Sequence, residues 1–432
     1  MRRGKPVALW ITLVAATPAA AQQRTIALAD AVRLSEQVQP RVITAQANLS
    51  SADARVRSAR GQYLPSVSFS SSGSNFFSGG QARVDPSGQV VPGGTTSTSI
   101  SSSLGASLDL FTGFRRGADV KAARATSASA TASLIDARFQ QRFTTTSQFF
   151  DALAAQQLVR VRDASVKRAE EQLKISVAKL HAGSATRSDS LRSLVTLGTA
   201  QLQLIQARTD LATAEANLAR LIGASGRVSA ADDSAFYQRG ATPDTVAIRA
   251  EAVVRSPQIQ AAQLSSAAAR ASLRSVRSGY WPTLTLAANT GFNGSGANDY
   301  RLFNQRQVGL QLNWNLFNRF TREQNIVIQE ANLEVADANA GEAARLVDAN
   351  LTTAIATLAA AESRITITGT SVDAAREDLR VVQERYRLGA STIVDVLISQ
   401  EALTQAEVDV VTARFDYLRS KAQIEALIGR TL

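Results

Sequence analysis

The sequence has no cysteine, a single histidine (His181), one methionine and few aromatic residues, 6% of 432. Without cysteine there is no disulfide framework, no thiolate metal site and no thiol nucleophile for a histidine to serve. One histidine cannot build a His-rich metal centre. Gly-rich phosphate loops, nucleophile–base pairs and metal-ligand spacings are missing too. The carboxylates fall at helical surface spacing, as solvated pairs. The reading is therefore of a chain that is not an enzyme and holds no cofactor. The formal charge is +11, but the arginines are spread along the chain without a basic block. That pattern describes a solvated surface and gives no support to nucleic-acid binding.

What is present is Ala, Ser, Leu and Arg, a composition suited to long helices packed through small side chains. Residues 1–21 read as a cleaved export signal. Arg2, Arg3 and Lys5 form a positive start, 7–16 is apolar apart from one Thr, and cleavage is expected between Ala21 and Gln22. That apolar run is too short to cross a bilayer as a helix.

The chain is duplicated. Gly183 and Gly389 are 206 residues apart, as are Asp189 and Asp395, and the same offset carries Leu221-Ile222-Gly223 onto Leu427-Ile428-Gly429. Each copy predicts a helix, a β-hairpin, a very long helix, a tight tip and a returning helix. In the first repeat, 22–223, the hairpin falls at about 65–112, the long helix at 116–181, the tip at 180–190 and the return at 188–222. In the second, 244–432, the corresponding spans are about 282–317, 322–387, 386–396 and 395–428. Residues 224–243 read as the inter-repeat linker. Pro40 marks a helix break or a new start.

Within the hairpins the period changes to two. Leu104, Ala106, Leu108 and Leu110 alternate with Ser103, Gly105, Ser107 and Asp109, and Val308, Leu310, Leu312, Trp314 and Leu316 alternate with Gly309, Gln311, Asn313 and Asn315. Strands about ten residues tall, apolar on one face and small and polar on the other, suit a tilted bilayer crossing around a water-filled lumen. Half-buried strands of a soluble sheet are the plainer alternative. Aromatic residues (Tyr63, Phe111, Phe114, Tyr280, Trp281, Phe317, Phe320) gather where helix meets strand, as an interfacial girdle does. Four strands cannot close around a channel, so several chains must contribute. In the second long helix Leu351, Leu358, Ile365, Val372, Leu379 and Tyr386 recur at sevens, implying left-handed supercoiling against neighbours.

These residues resemble the TolC-like outer membrane efflux proteins, most specifically through Tyr386-Arg-Leu-Gly-Ala-Ser-Thr-Ile-Val-Asp-Val-Leu397, Gln400, Leu403 and the two Leu-Ile-Gly triplets. The resemblance implies a mainly α protein with a membrane β-barrel. A homotrimer would give four strands per chain to a 12-stranded barrel, and a long α-helical coiled-coil tunnel would reach into the periplasm. It implies the outer membrane as location. The implied partners are a periplasmic adaptor protein, an inner membrane pump of RND or ABC type, and outer membrane lipid. The tips would form the periplasmic entrance, and Asp189, Tyr386, Arg387 and Asp395 are the candidate gate.

Gly183 and Gly389 are expected turn residues, and their small neighbours Ser184, Ala185, Thr186, Ala390, Ser391 and Thr392 are candidate adaptor contacts. Ser391 stands where the family has a linking arginine, and Ile398 where it has a second lumen-facing aspartate. Asp189 and Asp395 also read as helix N-caps. In a trimer they would ring the mouth with carboxylates and favour cations. His181 is expected to have a surface or packing role. The rival reading is a periplasmic coiled-coil adaptor or an adhesin-like envelope protein.

Overall fold

The computed structural model describes residues 24–91, 93–237, 245–296 and 301–431. The expected signal, with Ala21 and Gln22, lies outside the described residues, as do 238–243 of the expected linker. The chain divides into two units. One is built from 1–39, 141–241 and 357–422, the other from 40–140, 242–356 and 423–432. Two 67-residue helices, α3 (Arg115–His181) and α7 (Thr321–Arg387), contribute to both. At about 1.5 Å per residue each is roughly 100 Å long.

The sevens repeat read from the sequence is a buried stripe. Leu351, Leu358, Val372, Leu379 and Tyr386 are buried, as are the small Ala354 and Ala361, while Ile365 is half-buried. Alternating large and small side chains on one face allow close helix approach.

The first unit begins with β1 (Arg24–Ile26) and α1 (Leu28–Val38) and adds α4 (Arg187–Ile222), β6 (Val228–Ala230) and most of α8 (Ile393–Ile428). β1 and β6 pair in parallel. Their apolar residues join Phe149, Phe150, Leu153, Leu218 and Phe415 in one core. Gly223 ends α4 at φ 72°, and a Cβ there would meet Val38 Cγ1 at 2.6 Å. Only glycine suits that stop. Residues 224–237 were expected to be linker. Instead they form β6 and a short 3-10 turn that sets Phe236 edge-on to Phe150, 5.4 Å between ring centres. Apolar residues at 228, 230 and 236 have a core to join, which a local reading of Gly, Ser and Asp does not reveal.

The second unit holds α2 (Pro40–Gly61), β2 (Ser66–Ser78), a small hairpin of β3 (Arg83–Val84) and β4 (Val90–Val91), β5 (Thr95–Phe111), α5 (Thr245–Arg255), α6 (Pro257–Arg277), β7 (Thr283–Gly296) and β8 (Arg301–Asn313). Pro40 and Pro257 each open a helix, where a missing N–H costs nothing. The two hairpins merge into one four-stranded antiparallel sheet in the order β2-β5-β7-β8, because β5 pairs with β7.

The strands are 13, 17, 14 and 13 residues long, taller than the ten expected. The ladder outlasts the apolar pattern. On the apolar face Val67 lies beside Ala106, Leu286 beside Leu310 and Leu284 beside Leu312; higher up come Ser71 beside Ser102 and Thr290 beside Arg306. On the other face cross-strand serines bond in pairs, Ser66 with Ser107 at 2.7 Å, Ser70 with Ser103 at 2.8 Å and Ser72 with Ser101 at 2.8 Å. Side chains of the apolar face are open to the surroundings, Val308 at 76%. So large an exposed apolar face needs a nonaqueous neighbour.

The aromatic junctions are duplicated in geometry. Phe111 and Phe114 meet edge to face at 5.4 Å, and so do Phe317 and Phe320. Arg116 lies over Tyr63 at 4.8 Å and Arg322 over Tyr280 at 3.9 Å. Gly113-Phe114 and Arg319-Phe320 all have positive φ, 58–66°. That costly backbone is held at both strand-to-helix turns by the rings packed on it.

Candidate functional site

Both tips of the first unit are built alike. α3 ends with Gly183 at φ 72°, whose N–H donates to the Leu180 carbonyl while that of Ser184 donates to Lys179. α7 ends with Gly389 at φ 82°, with Gly389 N–H donating to Tyr386 and Ala390 N–H to Arg385. This pair of bonds needs a left-handed residue at the turn, hence glycine.

The next helix then starts with a reciprocal cap. The Thr186 hydroxyl accepts from the Asp189 N–H at 3.3 Å, and the Asp189 carboxylate accepts from the Thr186 N–H at 2.9 Å. Thr392 and Asp395 repeat this at 3.3 and 2.9 Å. The N-caps are therefore the threonines, and the aspartates sit three residues on, a correction to their expected place. Thr-x-x-Asp is a capping-box spacing, so the signal was present in the sequence.

Asp395 also accepts from the hydroxyls of Ser391 at 2.9 Å and Thr392 at 2.8 Å. Hydrogen bonds from the Thr392 N–H, then from the two hydroxyls, hold its carboxyl below the ordinary 3.8. A depressed folded-state pKa stabilises the tip above the unfolded value, and that contribution is lost as pH falls through the folded pKa. Amide protection at Thr392 and Asp395, measured by hydrogen exchange against intrinsic rates, is expected to hold at neutral pH and drop below pH 3.8. Asp395→Asn is expected to show the same fraying already at pH 7. Unchanged protection in that variant would remove the carboxylate from the cap.

Tyr386 is only 7% exposed and packs with Leu379, Ile393, Val396 and Leu403. Its hydroxyl is buried with no hydrogen-bond partner among the described residues. Arg387 pairs with Glu384 on its own helix at 3.2 Å. Within one chain, then, Asp189, Tyr386, Arg387 and Asp395 do not join into a single network; each is engaged separately. Ser391, at the position of the family's arginine, serves the Asp395 cap. Ser184, Ala182 and His181 lie at the surface, and Ile398 is 63% exposed.

Two basic residues missed from the sequence tie the hairpins together. Lys179 Nζ lies 4.3 Å over the Tyr386 ring and donates to the Tyr386 carbonyl, with the Arg387 carbonyl at 3.4 Å. Higher in the same seam, Arg168 meets Glu407 at 2.9 Å and Thr404 at 3.1 Å. A basic residue in the last turn of α3 reads locally as a partner for its own helix end, so its cross-hairpin role carried no sequence signal.

A family model described as outer membrane efflux protein matches residues 31–224 and 248–430, one segment per repeat. The chain is similar to the alkaline protease secretion protein AprF of Pseudomonas aeruginosa, 25% identical over 64% of this chain and 59% of that one. It is likewise similar to the outer membrane protein TolC of Escherichia coli, 24% identical over 66% and 60%. These matches span about three fifths of the length of those relatives. Among solved structures, the outer membrane protein VceC of Vibrio cholerae superposes with a TM-score of 0.75 over 94% of this chain and 96% of that one, at 18% identity. The Campylobacter jejuni CmeC outer membrane channel gives 0.78 over 93% and 85%, at 16% identity.

Proposed function

The chain belongs to the outer membrane efflux protein family, and from that premise we propose that it is a passive outer membrane channel through which an inner membrane pump exports its cargo. The observation that carries this is the sheet. It presents one exposed apolar face and one face of serines, asparagines and glutamines, and each of its edge strands, β2 and β8, has a single neighbour among the described residues. One such sheet cannot enclose a pore, and an unpaired edge invites another strand. Three copies closing edge to edge would make the 12-stranded barrel of a homotrimer, apolar toward lipid and polar toward water.

The tip-bearing unit then faces the periplasm, where the small residues around Gly183 and Gly389 meet an adaptor protein bridging to an RND or ABC pump. The chain itself does no chemistry, and cargo selection rests with the pump. The adaptor or adhesin alternative gains nothing from an apolar sheet face of this height.

The test is reconstitution. Purified protein is expected to run as a heat-dissociable trimer and to give discrete conductance steps in planar lipid bilayers. A monomer that leaves the bilayer electrically silent would overturn the reading.

A further inference from the structure

We propose that Lys179 is a clasp between the two tip hairpins, positioning Tyr386 and setting how far the entrance opens; this rests on the channel reading and names a gating residue within it. Among the described residues of one chain the expected gate residues do not contact one another. The aspartates close capping boxes, Arg387 is held by Glu384, and Ser391 is held by Asp395. The Tyr386 hydroxyl has no partner among the described residues, so it carries no link between hairpins there.

At the tips, below the Arg168–Glu407 pair, what crosses from the first hairpin to the second is the Lys179 ammonium. It faces the Tyr386 ring at 4.3 Å and reaches the carbonyls of Tyr386 and Arg387. Those carbonyls belong to the last turn of α7, where the helix dipole is negative; that of Tyr386 also accepts from the Gly389 N–H. A cation there gains from the ring's face and from the helix end together. The ring cannot swing away, because it is packed among Leu379, Ile393 and Val396. Lys179 therefore grips a rigid part of the second hairpin, and its flexible stem lets go without unfolding either one. Position 385, one repeat on, is Arg385 and bears on Asp395 of its own tip.

Two readouts test this, one of them independent of conduction. The chain has no cysteine of its own, so spin labels at Ala182→Cys and Leu388→Cys, in trimers diluted with unlabelled chain, report the distance between hairpins by pulsed electron resonance. Lys179→Met is expected to lengthen and broaden that distance and to raise the open fraction in bilayers about tenfold, the effect of losing one cation–ring and helix-end contact. Lys179→Arg, which keeps the charge and stacks on the ring, is expected to restore both. Lys179→Met combined with Tyr386→Leu is expected to add little to Lys179→Met alone.

An unchanged distance in Lys179→Met would overturn the clasp, whatever the bilayer shows. So would an opening by Tyr386→Phe as large as that of Lys179→Met, since only the hydroxyl differs. A changed distance in a protein that never conducts would uphold the clasp and overturn the channel.

Discussion

Gly389→Trp is expected to abolish export while leaving the trimer assembled. Gly389 has φ 82°, and a Cβ built on it meets nothing within 4 Å. The first atom of a side chain there therefore has open space around it. The substitution costs the left-handed backbone penalty, about 1–2 kcal/mol for any residue with a Cβ. Gly389→Ala carries that same penalty without the bulk, so the difference between the two variants isolates what lies outside the chain. A partner seated on the tip must be displaced by the larger side chain. The expected result is export near wild type for alanine and at least about a tenfold loss for tryptophan, equivalent to about 1.4 kcal/mol or more of docking free energy. Heat-stable trimers should persist in both. A tryptophan variant that exports as well as the alanine variant would remove the tip from the docking surface.

Phe149→Ala is expected to cost the first unit about 3–5 kcal/mol. Phe149 is fully buried, and its ring stands edge-on to Phe150 at 6.0 Å and to Phe236 at 6.1 Å. The second of those contacts brings α3 and the 3-10 turn after β6 together, so the loss combines buried area, a cavity and two ring pairs. Against a typical stability of about 5–15 kcal/mol this is a large fraction. Phe236→Ala, at a half-buried position on the same cluster, should cost clearly less. The denaturant midpoint, followed by limited proteolysis between α4 and α5, separates the two. Equal midpoints for both variants would mean that the cluster is not the keystone of this unit.

Much of this protein was legible in one dimension because the signals are local. Apolar residues at sevens give a buried stripe on α7, and alternation gives strands. A glycine followed three residues on by Thr-x-x-Asp gives a helix end, a tight turn and a helix start. The ends of the two long helices agree with the sequence to one residue for the same reason. Strand height was read short because the serines of β2 and β5 carry no apolar period, yet they extend the ladder by bonding to one another. The span after Gly223 was read as linker because Val228, Ala230 and Phe236 gain their meaning only from β1 and the phenylalanines of α3.

The candidate site divides the same way. Gly183, Gly389, Asp189 and Asp395 could be placed at the tips from spacing alone, since backbone angle and capping are set by neighbours in sequence. That Tyr386 is buried depends on how α7 packs against α8, that Ser391 serves a cap depends on the turn's geometry, and that Lys179 grips the other hairpin depends on residues some two hundred positions apart. Two repeats, two hairpins, two helices of 66 residues and two tips follow from the letters alone, because helical period, strand alternation and turn chemistry act over a few residues. Which strands pair across the repeats and which cations cross between the hairpins came from the fold, because those contacts are selected by three-dimensional proximity, on which a residue's own neighbourhood in the chain has no hold.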